Sequence, residues 1–417
     1  MVKPLRVLLA PFGTRGDVQP MLALAQGLTA AGHRVRFCAP PDYRSWVESH
    51  GYVFHPAGRD YASLVKELTS GAVRAFRVLS EEVPRQFAAM EPLMADVDVV
   101  VNASLEYASV TLCERLGKPH FSVLFSPCVL PSAEHPFPLI PVYGLPGWLN
   151  RLTWWLADVA TRFSVLPVVN AERIRRGLRP FPPVLTEMLG PHVLLPFDAA
   201  LARLARDARA GIQQMGPWLL EERDEIPADV QSFLDAGAPP VYVGFGSMPD
   251  RAPEKTTAMI VEAAGRAGVR VLLSSGWAGL GSVELPASVR VVGAVPHRKL
   301  FPRCLGVVHH GGAGTTTSSA LSGVPQLVVP HEVDQFFHGR RVHHLGLGPR
   351  AIPRKKLNAP RLAEAFKAFS SADHATRARA FAREMSREGV QHAVRMIEAV
   401  SLGTPGQAPT LELRAAV

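Results

Sequence analysis

Near-continuous apolar runs of strand length alternate with helix-periodic stretches along this chain, and the alternation starts twice. Arg6 to Phe12 (RVLLAPF) is the first such run. A strand that is apolar on both faces must be covered on both, as inside a parallel sheet flanked by helices. A glycine-bearing loop follows, then PMLALAQGLTAAG with helical period. Arg34 to Ala39, Val97 to Asn102 and His120 to Phe125 continue the series, with a helical stretch from Leu105 to Leu116. Residues 221–240 are charged and proline-bearing, and after them the rhythm restarts at Val241 to Phe245. A helix over Lys255 to Ala267 comes next, then strand-like runs at Arg270 to Ser275, Val289 to Gly293, Gly306 to His310 and Pro325 to Pro330. Repeated βαβ units predict an α/β fold of two doubly wound, Rossmann-like parallel-sheet domains facing across a cleft. The expected division is an N-terminal domain over residues 1–204, a linker region over 205–238 and a C-terminal domain over 239–385. A helix over 386–403 is expected to pack back toward the N-terminal domain, and residues 404–417 to form a flexible tail.

With 417 residues, the chain is too long for one ordinary domain and comfortable for two. Its formal net charge of +9 suits an acidic partner, but the densest basic run is only Arg354-Lys355-Lys356. No basic stripe is interleaved with aromatics, so nucleic acid is not expected as a partner. An anionic small molecule or a membrane surface fits the charge as well. Cys38, Cys113, Cys128 and Cys304 are far apart, show no metal-type spacing and read as buried free thiols. The N-terminal apolar stretch ends at Phe12 without a small-residue cleavage site, so it reads as a strand rather than a signal peptide. There is no membrane-spanning apolar run. A cytoplasmic protein is expected.

Three strand-to-helix turns are built for a ligand. The first carries Gly13, Thr14, Gly16 and Asp17; the second Gly246 and Ser247; the third His309-His310-Gly311-Gly312-Ala313-Gly314 followed by Thr315 to Thr317. Small residues let backbone approach a ligand, and a helix N-terminus offers free N–H groups to a phosphate. Thr315 or Thr316 is expected to cap the third helix. There is no Walker lysine. Adjacent strand side chains point to opposite faces, so His309 and His310 do not chelate one metal; one looks into the cleft while the other packs. No metal or cofactor is expected. For Asp17 two readings stand, an acid favouring the helix N-terminus and a general base presented to the cleft. Asp334 and Gln335, one strand further on, suit the hydroxyls of a sugar, while Asp334 also fits a helix N-cap.

Taken together and in order, GTRGDVQP (from Gly13), VGFGSM (from Val243), SSGWAGL (from Ser274), VPHRKLF (from Val295), HHGGAGTTT (from His309) and DQFFHGRRV (from Asp334) resemble the GT-B-fold, family-1 glycosyltransferases that use UDP- or dTDP-sugars. The likeness covers nearly the whole chain. Within the family it is nearest to bacterial natural-product enzymes of the glycopeptide type, rhamnosyltransferases and sterol glucosyltransferases. The resemblance implies an acceptor-binding N-terminal domain and a nucleotide-sugar-binding C-terminal domain. It gives Asp17 the role of acceptor-activating base. His309, Thr14, Gly246, Ser247, Gly311, Gly312, Gly314 and Thr315 take the diphosphate side. Val295 and His297, in the segment from Gly293, take the nucleobase edge. Asp334 and Gln335 take the donor sugar, and Asp334 is also a rival base. Two departures stand out. Ala294 occupies the place of a tryptophan that stacks on uracil in many relatives, leaving Trp277 as nearby aromatic surface. Thr317 occupies the place of a ribose-binding glutamate, so UDP and dTDP both remain open.

The expected reaction is an inverting hexosyl transfer by direct displacement, without cofactor, to a hydrophobic acceptor: a macrolide, polyketide, glycopeptide, sterol or lipid, in secondary metabolism. A sterol or lipid glucosyltransferase at a membrane surface is the alternative. A sugar-nucleotide epimerase or hydrolase, or a non-enzymatic binding module, would use the same fold differently. A helix from Trp148 sets Trp148, Leu152, Trp155, Leu156, Val159 and Phe163 on one broad face, read either as core packing or as an apolar acceptor wall. Trp148, Trp155 and His135 are the acceptor candidates. The protein is expected as a monomer or homodimer.

Overall fold

The computed structural model describes residues 3–68, 71–221 and 224–403. The tail expected over 404–417 lies outside the described residues. Two sheets form, each entirely parallel. The N-terminal sheet contains β1 (Arg6–Phe12), β2 (Arg34–Ala39), β3 (Val53–Pro56), β4 (Val99–Ser104), β5 (His120–Val123), β6 (His192–Leu195) and β7 (Ile212–Gln214). Their order is β3-β2-β1-β4-β5-β6-β7. The C-terminal sheet contains β8 (Val241–Gly244), β9 (Val271–Ser274), β10 (Val289–Val292), β11 (Gly306–His309) and β12 (Gln326–Val328), in the order β10-β9-β8-β11-β12. In both sheets the order reverses beside the first strand, and ligands of such sheets sit in the crevice beyond the strand ends at that point.

The apolar runs form strands because helices cover both of their faces. Val7, Leu9 and Val101 share one core with the helix Arg15–Ala30, while Leu8 and Val100 share another with the helix Ala72–Met90. The expected linker needs correction. Its residues 212–214 are the seventh strand of the N-terminal sheet, and Met215, Trp218 and Leu220 still belong to that domain's core. Helix Ala228–Asp235 already packs under the C-terminal sheet through Val230 and Leu234. The crossing is therefore confined between Leu220 and Ile226. β3, β6 and β7, which the alternation does not announce, are short and lie toward the sheet edges.

The last helix, Gly389–Leu402, returns to the first domain: Ala393, Val394, Met396 and Ile397 join the core of β1 and the helix Arg15–Ala30. Another cluster joins the two halves directly, with Val193, Leu195 and Phe197 meeting Val328, Val342 and Phe381. The two switch points are thereby brought face to face. Among the described residues no helix is long and apolar enough to cross a membrane, and the four cysteines are buried and free.

Candidate active site between the two switch points

The N-terminal side of the cleft is built where β1 and β4 separate. Thr14 caps the helix Arg15–Ala30 in a capping box: its hydroxyl accepts from the Gly16 N–H at 3.2 Å. Asp17 Oδ2 accepts from the Thr14 N–H at 2.5 Å and from its hydroxyl at 2.9 Å. Gly13 is required here, because a Cβ would collide with the Asp17 carboxylate. The other oxygen, Oδ1, accepts from the hydroxyl of Ser104, the last residue of β4. Ser104 has φ of 63°, a left-handed conformation costly for a residue with a side chain. Burial pushes the Asp17 carboxyl above the ordinary carboxylate range; the hydrogen bonds from Ser104 and Thr14 oppose that, and the charge of Asp334 adds to it. Asp17 completes the helix cap, and it is also a desolvated carboxylate at the switch point.

Asp334 lies in the opposite domain. It precedes the helix Gln335–His344 but makes no side-chain cap bond. Its carboxylate stands 3.9 Å from His338 Nδ1, its side chain is 25% exposed, and burial raises its pKa. The residue before it, Val333, has φ of 49°. Among the described residues Ser104 and Val333 are the non-glycine positions with positive φ, and each adjoins or holds one of the two acids. Strain of this kind costs about 1–3 kcal/mol and persists where the surrounding structure over-determines it. Gln335 is buried, and its amide oxygen accepts from the His331 and Glu332 N–H groups at 2.8 and 3.2 Å. Only its nitrogen, 3.4 Å from Met248 Sδ, is left to turn toward a sugar.

The two histidines of the third turn divide differently from the expectation. His309 is fully buried: its Nδ1 accepts from the Gly311 N–H at 3.1 Å and its Nε2 pairs with Gln326 Oε1 at 2.8 Å. It braces the turn from beneath and has no nitrogen for a phosphate. His310 is the ring that meets the turns. It lies against Gly246 and Gly312, where added Cβ atoms would stand 2.9 and 2.5 Å from it, and its Nδ1 has no partner. Burial holds His309 near about 4 and His310 near about 3, so both are neutral at pH 7. The helix cap also differs. Gly312 is the N-cap of Ala313–Leu321 and carries no side-chain cap; Thr316 instead donates back to the Gly312 carbonyl at 2.9 Å, and Thr315 does not cap. The N–H groups of the first turn, over Ala313, Gly314 and Thr315, are left without a cap.

Gly246, with φ of 59°, lies against the His310 ring of this turn, and the Trp277 N–H donates to the Gly246 carbonyl at 3.1 Å. Trp277 is 41% exposed at the rim. His297 is partly buried: its ring stacks on Phe301 at 4.4 Å and pairs with the Tyr242 hydroxyl at 3.3 Å. Val295 packs in part on the core beneath, while Gly293 and Ala294, in the same segment, are exposed.

His338 and Ser126 were not singled out from the sequence. His338 Nδ1 donates to the Gly311 carbonyl at 2.6 Å, its Nε2 accepts from the Ser126 hydroxyl at 3.0 Å, and its ring stacks on Phe197 at 5.3 Å. One side chain thus ties the glycine turn to the N-terminal domain. His135 is buried between Trp154 and Phe337 at that same interface. Trp148 and Trp155 are 67% and 59% exposed on the outer face of the helix Gly147–Thr161, so that face is not core packing. The buried face holds Asn150, Thr153, Trp154, Ala157 and Thr161.

Two doubly wound domains with facing switch points define the GT-B class of glycosyltransferase fold. Comparison with known proteins agrees. Residues 7–132 match the glycosyltransferase family 28 N-terminal domain, and residues 260–395 the erythromycin biosynthesis protein CIII-like C-terminal domain. Glycosyltransferase GtfE of Amycolatopsis orientalis is 34% identical, over 82% of this chain and 85% of its own length. The sterol 3-beta-glucosyltransferase UGT80A2 of Arabidopsis thaliana is 32% identical, over 94% of this chain and 65% of its own length. Among solved structures, CalG4, the calicheamicin glycosyltransferase, superposes with a TM-score of 0.72 at 20% identity, over 98% of this chain and 100% of its own. VinC in complex with dTDP gives 0.67 at 19%, over 96% and 100%. The chain belongs to this glycosyltransferase family, alongside GtfE.

Proposed function

We propose that the protein moves a sugar from a UDP- or dTDP-sugar to a hydroxyl of a hydrophobic small molecule with inversion at the anomeric carbon. The observation that carries this reading is the placement of Asp17. A desolvated carboxylate, fixed by Thr14 and Ser104, lies near enough to Asp334 of the opposite domain to feel its charge. The acceptor O–H gives its proton to Asp17 as its oxygen attacks the anomeric carbon. The bond from that carbon to the diphosphate oxygen breaks, and its electron pair leaves with the nucleoside diphosphate. A base held above the ordinary carboxylate range suits such a transfer, worth about 10²–10⁴ in rate.

The leaving group gains charge where the first-turn N–H groups of Ala313–Leu321, His310 and Ser247 converge. Neutral His310 serves as a hydrogen-bond donor there, and His309 as the brace beneath it. Preorganised donors of this kind are worth about 3–4 kcal/mol each. Asp334, placed to hold the sugar hydroxyls, also raises the basicity of Asp17 by its charge. Trp277 and the backbone at Gly293 and Ala294 take the nucleobase edge. The reading needs no cofactor. The sterol in the name of UGT80A2 supports a bulky apolar acceptor, and the erythromycin-biosynthesis likeness of the C-terminal domain supports a place in secondary metabolism. The test is a turnover screen of UDP- and dTDP-sugars against sterols, macrolides and peptide aglycones, with the product's anomeric configuration read by NMR. Retention of configuration, or donor consumption that ignores every acceptor, would overturn it.

A further inference from the structure

The helix Gly147–Thr161 is anchored by one face and leaves the other in solvent. The anchors are polar: Asn150 donates to the Ala133 carbonyl at 2.8 Å, the Thr153 hydroxyl accepts from the Phe137 N–H at 2.8 Å, and the Trp154 indole donates to the His135 carbonyl at 3.0 Å. On the opposite side Trp148, Leu152, Trp155 and Leu156 are 67%, 41%, 59% and 50% exposed, and Phe163, just past the helix end, is 78% exposed. At helical spacing these residues fall within about 100° of arc. The exposed Arg151 and Arg162 run along one edge of that arc. Residues 147–180 contain six arginines against two acids; Arg173 and Glu172 are buried, and Arg175 and Arg176 pair with Glu172, which leaves Arg151, Arg162 and Arg179 on the surface.

A contiguous stripe of tryptophan, leucine and phenylalanine in water is costly unless something covers it. A second copy of the chain is a poor cover, because it would bring two sets of exposed arginines into one interface while Asp158 is the acid of residues 147–180 that is not buried. The anionic face of a lipid bilayer accommodates both features. The rings and leucines enter at the headgroup–acyl boundary, and the guanidinium groups meet the phosphates. Arg151 is free to do so at little loss. It contacts Asp207 at 3.3 Å, but that carboxylate also accepts from the Ser132 hydroxyl and the Ala133 N–H, each at 2.8 Å. Beside the helix a shallow cleft of about 340 Å³ opens between Arg151, Trp155 and Pro131, of a size to receive a headgroup.

We propose that the exposed face of Gly147–Thr161, with its arginine border, is a docking surface for an anionic lipid bilayer. It stands independently of which base serves the transfer reaction. The test is flotation of the full chain with phosphatidylcholine vesicles, with and without phosphatidylglycerol, while tryptophan emission is followed. Binding that requires phosphatidylglycerol, weakens with salt and shifts the emission to the blue is the expected result. The double variant Trp148→Ser, Trp155→Ser should lose binding by about tenfold or more, with an unchanged melting temperature because both side chains are exposed. Arg162→Glu should remove the preference for phosphatidylglycerol. No flotation at low salt, or flotation unchanged in the double variant, overturns the proposal. So does self-association that depends on the stripe and appears in place of vesicle binding. Equal binding to polyglutamate with no blue shift would show an acidic protein site and overturn it too.

Discussion

Asp17 is held by three hydrogen bonds from two residues, and each shifts its protonation in a known direction. Ser104 and Thr14 donate to the charged form, so removing either raises the pKa further. Ser104→Ala should therefore move the acid limb of kcat/KM to higher pH and lower turnover at neutral pH by about tenfold, the worth of one hydrogen bond to a charged group. Ser104→Gly should behave alike in the pH profile while relieving the positive φ, which separates lost hydrogen bonding from backbone strain. Asp17→Asn should reduce turnover by about 10²–10⁴ with nucleotide affinity retained; unchanged turnover would remove the base assignment. The histidines make a second pair. His310→Ala should weaken diphosphate affinity by about tenfold, as read by calorimetry. His309→Ala should cost about 2–4 kcal/mol of stability, because it strands Gln326 and the Gly311 N–H in the core. Equal loss of nucleotide affinity with no loss of stability in His309→Ala would return the phosphate role to it.

At the scale of elements, the chain closes on itself through glycines. Helix Gly389–Leu402 begins against the backbone of residues 216–217, and a Cβ on Gly389 would stand 2.5 Å from the Pro217 carbonyl oxygen. A backbone carbonyl cannot rotate aside as a side chain can. Gly389→Ala should then destabilise by about 1–3 kcal/mol, measured by urea unfolding, and loosen the helix from the N-terminal domain. A neutral result would mean that the helix can slide without loss. The helix Gly147–Thr161 teaches a different lesson. Its apolar arc is plain in the sequence, yet its buried side is Asn150, Thr153, Trp154, Ala157 and Thr161. Periodicity locates a face; what the face meets depends on the loop that supplies Ala133 and Phe137 as partners.

Over the whole molecule, burial leaves several histidines neutral. His120, His297, His309 and His310 are held near about 3, about 4, about 4 and about 3. These values lie below the ~6.5 of an unfolded histidine. The unfolded chain thus binds more protons between about pH 4 and 6.5, so this contribution is complete above about 6.5 and is lost as the pH falls through the window. Asp17, Glu106 and Asp334, whose pKa values are raised by burial, act in the opposite sense: their contribution is present at low pH and is lost as the pH rises. A variant comparison isolates one member. His120→Gln should remove about 1.4 kcal/mol of pH dependence per unit between pH 6.5 and 5, read from urea midpoints. Parallel profiles for the two proteins would contradict a neutral buried His120.

The sequence by itself determined two parallel-sheet domains, because strands covered on both faces must be apolar throughout and helices between them must be amphipathic. It also determined the strand-to-helix turns at Gly13, Gly246 and Gly311, because only small residues allow backbone to approach a ligand there. It limited the cleft to one of two adjacent histidines, and the resemblance named His309, whereas His310 is the one with a nitrogen left over. That choice depends on how β11 registers between β8 and β12, which decides the face that meets the opposing turn. The strand β7 stayed hidden because Ile212-Gln213-Gln214 is mostly polar and offers no apolar run. Only the tertiary structure brought Ser104 to Asp17 and Ser126 to His338. Residues 87 and 212 positions apart meet through the reversal of strand order and the packing of one domain on the other, which no local pattern encodes.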